Sequence, residues 1–185
     1  GVFWSGFAKQ AGWNPIICEL VDLKIDENGN FTHMGEIITD VIRMYPWEFM
    51  LREEGCINLY KNSCNFMNPA WTTLLSNKAL LPFLWKKFTN HPLLIPSFWE
   101  KNGMKNYVTK PIHSRGGENV KIFINDELIE DSEGSYNNYE TIYQEKVDTR
   151  YIDRQVSTSL GSWIVGKSFG GITFREDERN VVRNC

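Results

Sequence analysis

The chain has 185 residues, of which 42% are hydrophobic, enough to bury a sizeable core and to build one domain with two lobes. Its formal net charge of −3 offers no basic face for a phosphate backbone, so nucleic acid is excluded as an expected partner. The longest apolar runs are broken by Pro, Lys, His or Asn well short of bilayer length, no signal peptide is visible, and Cys18, Cys56, Cys64 and Cys185 form no C-x-x-C pair; we therefore expect reduced thiols, a cytoplasmic location and no membrane partner.

In chain order, Ser5 is placed to cap a short helix through Phe7, Ala8 and Gln10 that Gly12 stops, and Pro15–Leu20 follows as a strand. Asp26-Glu-Asn-Gly-Asn30 reads as a turn between strands, because Asn-Gly tolerates the positive φ of a tight hairpin. Over Met44–Glu54, Trp47, Met50 and Leu51 recur at helical spacing, with Pro46 acceptable in the first turn. Asn58–Pro69 is polar and Asn-rich and reads as an exposed connection. Beyond it Ser76-Asn77 can cap a helix whose Leu80, Leu81, Leu84, Trp85 and Phe88 share a face, with Pro82 at a kink or restart. His91–Pro96 is a terminating loop and short strand, and from Tyr107 onward the pattern is mostly β, interrupted by a flexible acidic turn over Asp131–Asn138. The expected division is a mixed helical and β lobe over 1–104 and a mainly β lobe over 105–185.

Within the second part, Tyr107-Val-Thr-Lys110-Pro-Ile-His-Ser114-Arg-Gly-Gly117 sets a lysine at the end of a strand and a glycine turn just after it, before a second strand from Val120 to Ile124. Gly116 and Gly117 allow successive backbone N–H groups to face an anion, Lys110 supplies a compact charge and Arg115 a planar fork, which together describe a phosphate grip. The alternative is a solvated hairpin turn with basic neighbours.

Three further blocks bear on that choice. Leu74-Leu-Ser-Asn-Lys78-Ala-Leu-Leu lies upstream, Tyr139–Val147 is a strand running into a polar hinge, and Gly161–Arg175 is a hairpin ending in an arginine. In order and wording the four blocks resemble the ATP-grasp domain of glutathionylspermidine synthase-like ligases, from Met44-Tyr-Pro-Trp-Glu48 to the last residues and more weakly from Ala8. The resemblance implies a mixed α/β fold of the ATP-grasp, glutathione synthetase-like kind, incomplete here. It implies an ATP-dependent ligase joining a carboxylate, such as that of glutathione or a peptide, to an amine such as a polyamine. The alternative function is an ATP-binding module without ligase turnover.

An unactivated carboxylate has no good leaving group, so such a ligase first converts it to an acyl phosphate, and fixed cations and N–H groups stabilise the charge that develops. The resemblance assigns Lys78 and Lys110, from opposite lobes, to the α- and β-phosphates, and Ser114, Arg115, Gly116 and Gly117 to a mobile lid. It puts the adenine edge on Gln144, Glu145, Lys146 and Val147, where a strand end leaves main-chain groups unpaired, and places Asn180, Val181 and Val182 next along the site. Arg175 is implied as the catalytic residue that meets the phosphoryl group in flight; otherwise it forms a surface ion pair with Glu176 or Asp177. The Met44–Glu48 block is implied to lie beside the active site, or else is a docked helix. The family's magnesium ligands, an Asp, a Glu and an Asn, have no counterpart here, so no metal ligand is assigned, Mg2+ is expected to be held upstream, and the chain reads as a fragment. Asp177 and Glu178 are adjacent on a strand and point apart, and His33, His91 and His113 lack ligand spacing.

Overall fold

A computed structural model describes residues 2–53, 64–149 and 156–183. They group into two compact units, Gly1–Leu74 and Leu75–Cys185. The architecture is mixed α and β with several sheets.

The first unit opens with helix α1 (Val2–Gln10), closed by Gly12 at φ 86°, where the Gly12 N–H donates to Lys9 O and the Trp13 N–H to Ala8 O. That pair of bonds is a Schellman stop. The helix starts before Ser5, which sits inside it rather than capping it, because nothing in Val2–Trp4 interrupts the turn. Pro15–Leu20 is not a strand. It runs without regular structure into a 3-10 turn over Leu20–Asp22, and among the described residues no neighbouring edge pairs with its main chain.

Strands β1 (Lys24–Ile25) and β2 (Phe31–His33) pair antiparallel about the expected turn, whose Asp26 carboxylate accepts the N–H groups of Asn28 and Asn30. Strand β3 (Glu36–Ile37) completes that sheet, and β4 (Asp40–Ile42) pairs in parallel with β5 (Asn65–Met67). Strand β5 falls inside the segment expected to be an exposed connection; the free edge of β4 recruits it. The Met44–Glu54 segment makes one helical turn only, α2 (Trp47–Met50), with Glu54 outside the described residues. A single turn is enough here because Trp47 is anchored by tertiary contacts: its ring meets Phe66 edge-on at 4.9 Å, its Nε1–H donates to Asn68 O at 3.1 Å, and Arg43 covers it at 4.5 Å.

Helices α3 (Thr73–Ser76) and α4 (Leu80–Lys87) follow, with Asn77 Oδ1 accepting the Ala79 N–H at 2.8 Å. Pro82 lies in the first turn of α4, where a missing N–H costs little, so it is buried without interrupting the helix. The main sheet of the second unit comprises β6 (Ser97–Phe98), β7 (Tyr107–Pro111), β8 (Lys121–Ile124), β9 (Glu127–Asp131) and β10 (Thr141–Glu145), in the antiparallel order β6-β10-β7-β8-β9. Ile142 is fully buried, and Val120, Ile122 and Val181 form a core cluster with Val108 against it. Strands β11 (Ser157–Val165) and β12 (Ser168–Asp177) make the hairpin expected over Gly161–Arg175. Among the described residues no helix is long and apolar enough to cross a membrane, and Cys18 and Cys64 are free thiols.

Candidate functional site

Strand period places Lys110 beside its main partner. On β7, Tyr107, Thr109 and Pro111 share one face while Val108 and Lys110 share the other; Ile142 of β10 pairs with Lys110, and Gln144 with Val108. Gln144 therefore lies diagonally across from Lys110 on the same face, within reach of a long side chain. The Lys110 ammonium donates to Gln144 Oε1 at 2.8 Å, the amide Nε2 donates to Ser97 Oγ at 2.9 Å, and that hydroxyl donates to Ile95 O at 2.8 Å. An ammonium has no acceptor, so it fixes which end of the amide faces it.

Burial pushes the Lys110 pKa below the usual lysine value. Among the described residues its partner is a neutral amide and no carboxylate offsets the desolvation. A half-buried cation of this kind carries an electrostatic cost that its amide partner offsets only in part.

Lys78 enters from the loop that leads into α4. Its backbone N–H donates to Ile112 O at 2.8 Å, and its ammonium donates to Ser114 O at 2.8 Å and Ser114 Oγ at 2.9 Å. Lys78 and Lys110 thus flank one loop within the Leu75–Cys185 unit. Lys78 holds the first part of the glycine turn.

The turn itself is held on three sides. Gly116 and Gly117 have φ of 59° and 76°, and a Cβ on Gly117 would lie 2.8 Å from both Val181 Cγ1 and Val182 O. Asn119, at φ 54°, closes the turn: its side chain donates to Gly134 O and to Asn137 Oδ1 and accepts the Tyr136 N–H at 2.7 Å. Ser132 is fully buried, its hydroxyl bonded to Gly117 O and accepting the Val120 N–H. The acidic segment 131–138, expected to be a flexible turn, is accordingly tied down from Ser132 to Tyr136. His113 stands half-buried beside the turn, edge-on to Tyr139 at 5.2 Å.

At the strand end expected to expose main-chain groups, the Glu145 N–H donates to Pro96 O and the Lys146 N–H to Asn106 O. These two main-chain donors are already paired. Asn180 and Val181 are gripped by Glu130, whose Oε2 accepts the Asn180 N–H and Nδ2 and whose Oε1 accepts the Val181 N–H. Arg175 is exposed on β12 opposite Ser159, and the contacts above do not reach it. Asp177 is engaged elsewhere: its carboxylate accepts from Arg179 Nε and Nη2 and from the N–H groups of Arg179 and Arg183, hydrogen bonds that hold its pKa far below the usual carboxylate range.

The structure thus brings together Lys78 with Ser114, Lys110 with Gln144, and Gly117 with Val181 and Val182. Sequence reasoning missed the Gln144 side chain, Ser97, Asn119 and Glu130, although an apolar-patterned strand that carries a polar residue at an inward position was a readable signal. Among the described residues no group of three or more His, Cys, Asp or Glu side chains could hold a metal ion.

The family described as glutathionylspermidine synthase preATP-grasp matches residues 3–185. A Haemophilus influenzae protein named "Putative acid–amine ligase" is 31% identical over 98% of this chain and 49% of its own length. The bifunctional glutathionylspermidine synthetase/amidase of Escherichia coli is 34% identical over 62% of this chain and 19% of its own, and the trypanothione synthetase of Crithidia fasciculata is 31% identical over 63% and 18%. The chain spans about half of the first relative and about a fifth of the other two.

Proposed function

The chain belongs to the glutathionylspermidine synthase preATP-grasp family, and from that premise we propose that it carries most of the nucleotide site of an ATP-dependent ligase that joins a carboxylate to an amine. The fold we propose for the complete protein is ATP-grasp. The observation that carries the reading is Lys110, a desolvated ammonium held, among the described residues, by a neutral amide and not by a carboxylate. Lys78 and the Ser114–Gly117 turn lie beside it, and Asn180–Val182 lie under the turn. The γ-phosphoryl group passes from ATP to the carboxylate, releasing ADP and giving an acyl phosphate; the amine then attacks its carbonyl carbon and expels inorganic phosphate, leaving the amide. This chain's residues bind and orient the phosphates: Lys110 by charge, Lys78 by fixing Ser114, and the glycine turn by its N–H groups. Arg175 is assigned to the phosphoryl group in transfer, and Val147 to the purine edge with Gln144, Glu145 and Lys146 beside it. The acid is a peptide-like carboxylate such as glutathione, the amine a polyamine, and the compartment the cytoplasm.

The test uses the full-length protein with ATP, magnesium, glutathione and spermidine, and quantifies phosphate and amide together. Equal amounts of the two are expected. ATP binding with neither product would instead make the domain a nucleotide-binding module.

A further inference from the structure

We infer that Glu130 is a positioning residue for the nucleotide, its carboxylate fixing Asn180–Val181 as the seat on which the Gly116-Gly117 turn rests. The inference rests on the nucleotide reading of that turn and adds to it a residue that neither touches ATP in that reading nor belongs to any motif.

The starting point is an inverted pattern on β9. Leu128 and Ile129 are exposed, and the one residue of the strand that is half-buried is Glu130. A strand built to pack would do the reverse. Glu130 pairs in register with Ile122, a buried member of the core cluster, so its carboxylate is carried toward that cluster. What it meets there is three donors on two successive residues, Asn180 N–H at 3.1 Å, Asn180 Nδ2 at 2.9 Å and Val181 N–H at 3.1 Å, with both of its oxygens used. Each of these bonds is charge-assisted and directional, so together they fix the main chain at Asn180–Val181 in height and rotation.

That fixed main chain determines what the turn stands on. Val181 is buried against Val120 and Ile122, and its Cγ1 occupies the place where a Gly117 side chain would begin, 2.8 Å from the ideal Cβ. Val182 O is as close. Gly117 therefore rests directly on the segment that Glu130 holds. Lys78, Asn119 and the Ser132 hydroxyl bonded to Gly117 O restrain the turn elsewhere, and the face of Gly117 where a side chain would stand is closed by Val181–Val182. A shift of that seat moves the turn's N–H groups relative to Lys110, which β7 holds independently. The consequence is a change in phosphate fit with the cations still present.

The experiment compares full-length parent, Glu130→Gln, Gly117→Ala and the double variant for ATP KM, kcat, amine KM and melting temperature, with Lys110→Met as a control on the nucleotide reading. Glutamine keeps the shape but turns an NH2 group toward a backbone donor. We expect Glu130→Gln to raise ATP KM about tenfold with kcat and amine KM within about twofold, and the double variant to exceed the worse single variant by no more than about twofold, because both disturb one contact. Should Glu130→Gln fail to fold, Asn180→Asp puts a second carboxylate against Glu130 and is expected to raise ATP KM in the same selective way. A parental ATP KM in the folded variant, a loss of melting temperature with no selective change in ATP KM, or full additivity with Gly117→Ala each overturns the inference. If Lys110→Met leaves ATP binding unchanged, the nucleotide reading fails and this inference with it; if Lys110→Met weakens ATP and Glu130→Gln does not, only the role of Glu130 fails.

Discussion

Replacing Lys110 by Met should produce two effects of opposite sign. Without nucleotide, the ammonium is desolvated against one neutral acceptor, Gln144 Oε1 at 2.8 Å, so removing it relieves a burial cost. The substitution also strands that amide oxygen, a penalty of roughly 1–3 kcal/mol. These terms oppose each other, and we expect the nucleotide-free melting temperature to stay within a few degrees. ATP binding has no such compensation: losing a charge-assisted hydrogen bond costs about 1–3 kcal/mol, or about five- to 150-fold in Kd. The pH dependence follows from the depressed pKa. Below the folded-state value both states carry the proton and the whole burial cost is present. Between it and the ordinary lysine value the unfolded chain binds more protons, so parental stability rises with pH across that window while the Met variant lacks the rise. Isothermal titration with ATP and scanning calorimetry at neutral and alkaline pH measure both effects on the full-length enzyme. A variant that binds ATP like the parent yet melts several degrees lower would show that Lys110 serves only as a donor to Gln144.

Lys78→Met should behave differently, losing ATP affinity and also melting several degrees lower, because Lys78 anchors Ser114 through two hydrogen bonds of about 0.5–1.5 kcal/mol each; an unchanged melting temperature would remove its anchoring role. Gly117→Ala combines positive-φ strain with overlap on Val181 and Val182 and should cost about 2–4 kcal/mol by denaturant titration, whereas Gly166→Ala, at φ 62° with nothing within 4 Å, should cost only the roughly 1–2 kcal/mol of strain. Equal losses at the two positions would refute the packing argument. Arg175→Lys should leave ATP affinity within a few fold and lower kcat by on the order of 100-fold, since lysine keeps the charge and loses the planar fork. A parental kcat, read from phosphate release, would return Arg175 to a surface role.

What could be read from the sequence was local. The Asp26–Asn30 turn, the β7 and β8 strands around the glycine turn, and the β11–β12 hairpin follow from turn residues and alternation over a few positions. Errors arose where a distant partner decided the outcome. Pro15–Leu20 has strand composition but, among the described residues, no edge to pair with, whereas Asn65–Met67 looks like loop and pairs because β4 is there. Around Trp47 the apolar spacing indicated a helix of about three turns, and tertiary contacts to Phe66 and Asn68 stabilise one turn without the rest. At the site, Lys78, Lys110 and the glycines were legible as residue types, but the Glu130 clasp spans 50 positions in the chain and leaves no periodic trace.

The two lysines show why residue type alone was insufficient. Lys78 is committed to oxygens of Ser114, so much of its hydrogen-bonding capacity goes into shaping the loop. Lys110 is held by an amide that in turn donates to Ser97 and, through it, to a backbone carbonyl. A carboxylate in the place of Gln144 would stabilise the ammonium better and would also neutralise its field, so that an incoming phosphate would have to displace an ion pair. The neutral amide fixes the lysine's direction and leaves its charge uncancelled. If the site takes a nucleotide, the cost of a buried network with this polarity falls when the polyanion binds. On the nucleotide reading, then, the instability of Lys110 in the free chain and its usefulness to ATP are one electrostatic fact: the charge has been desolvated in advance of the partner that will offset it.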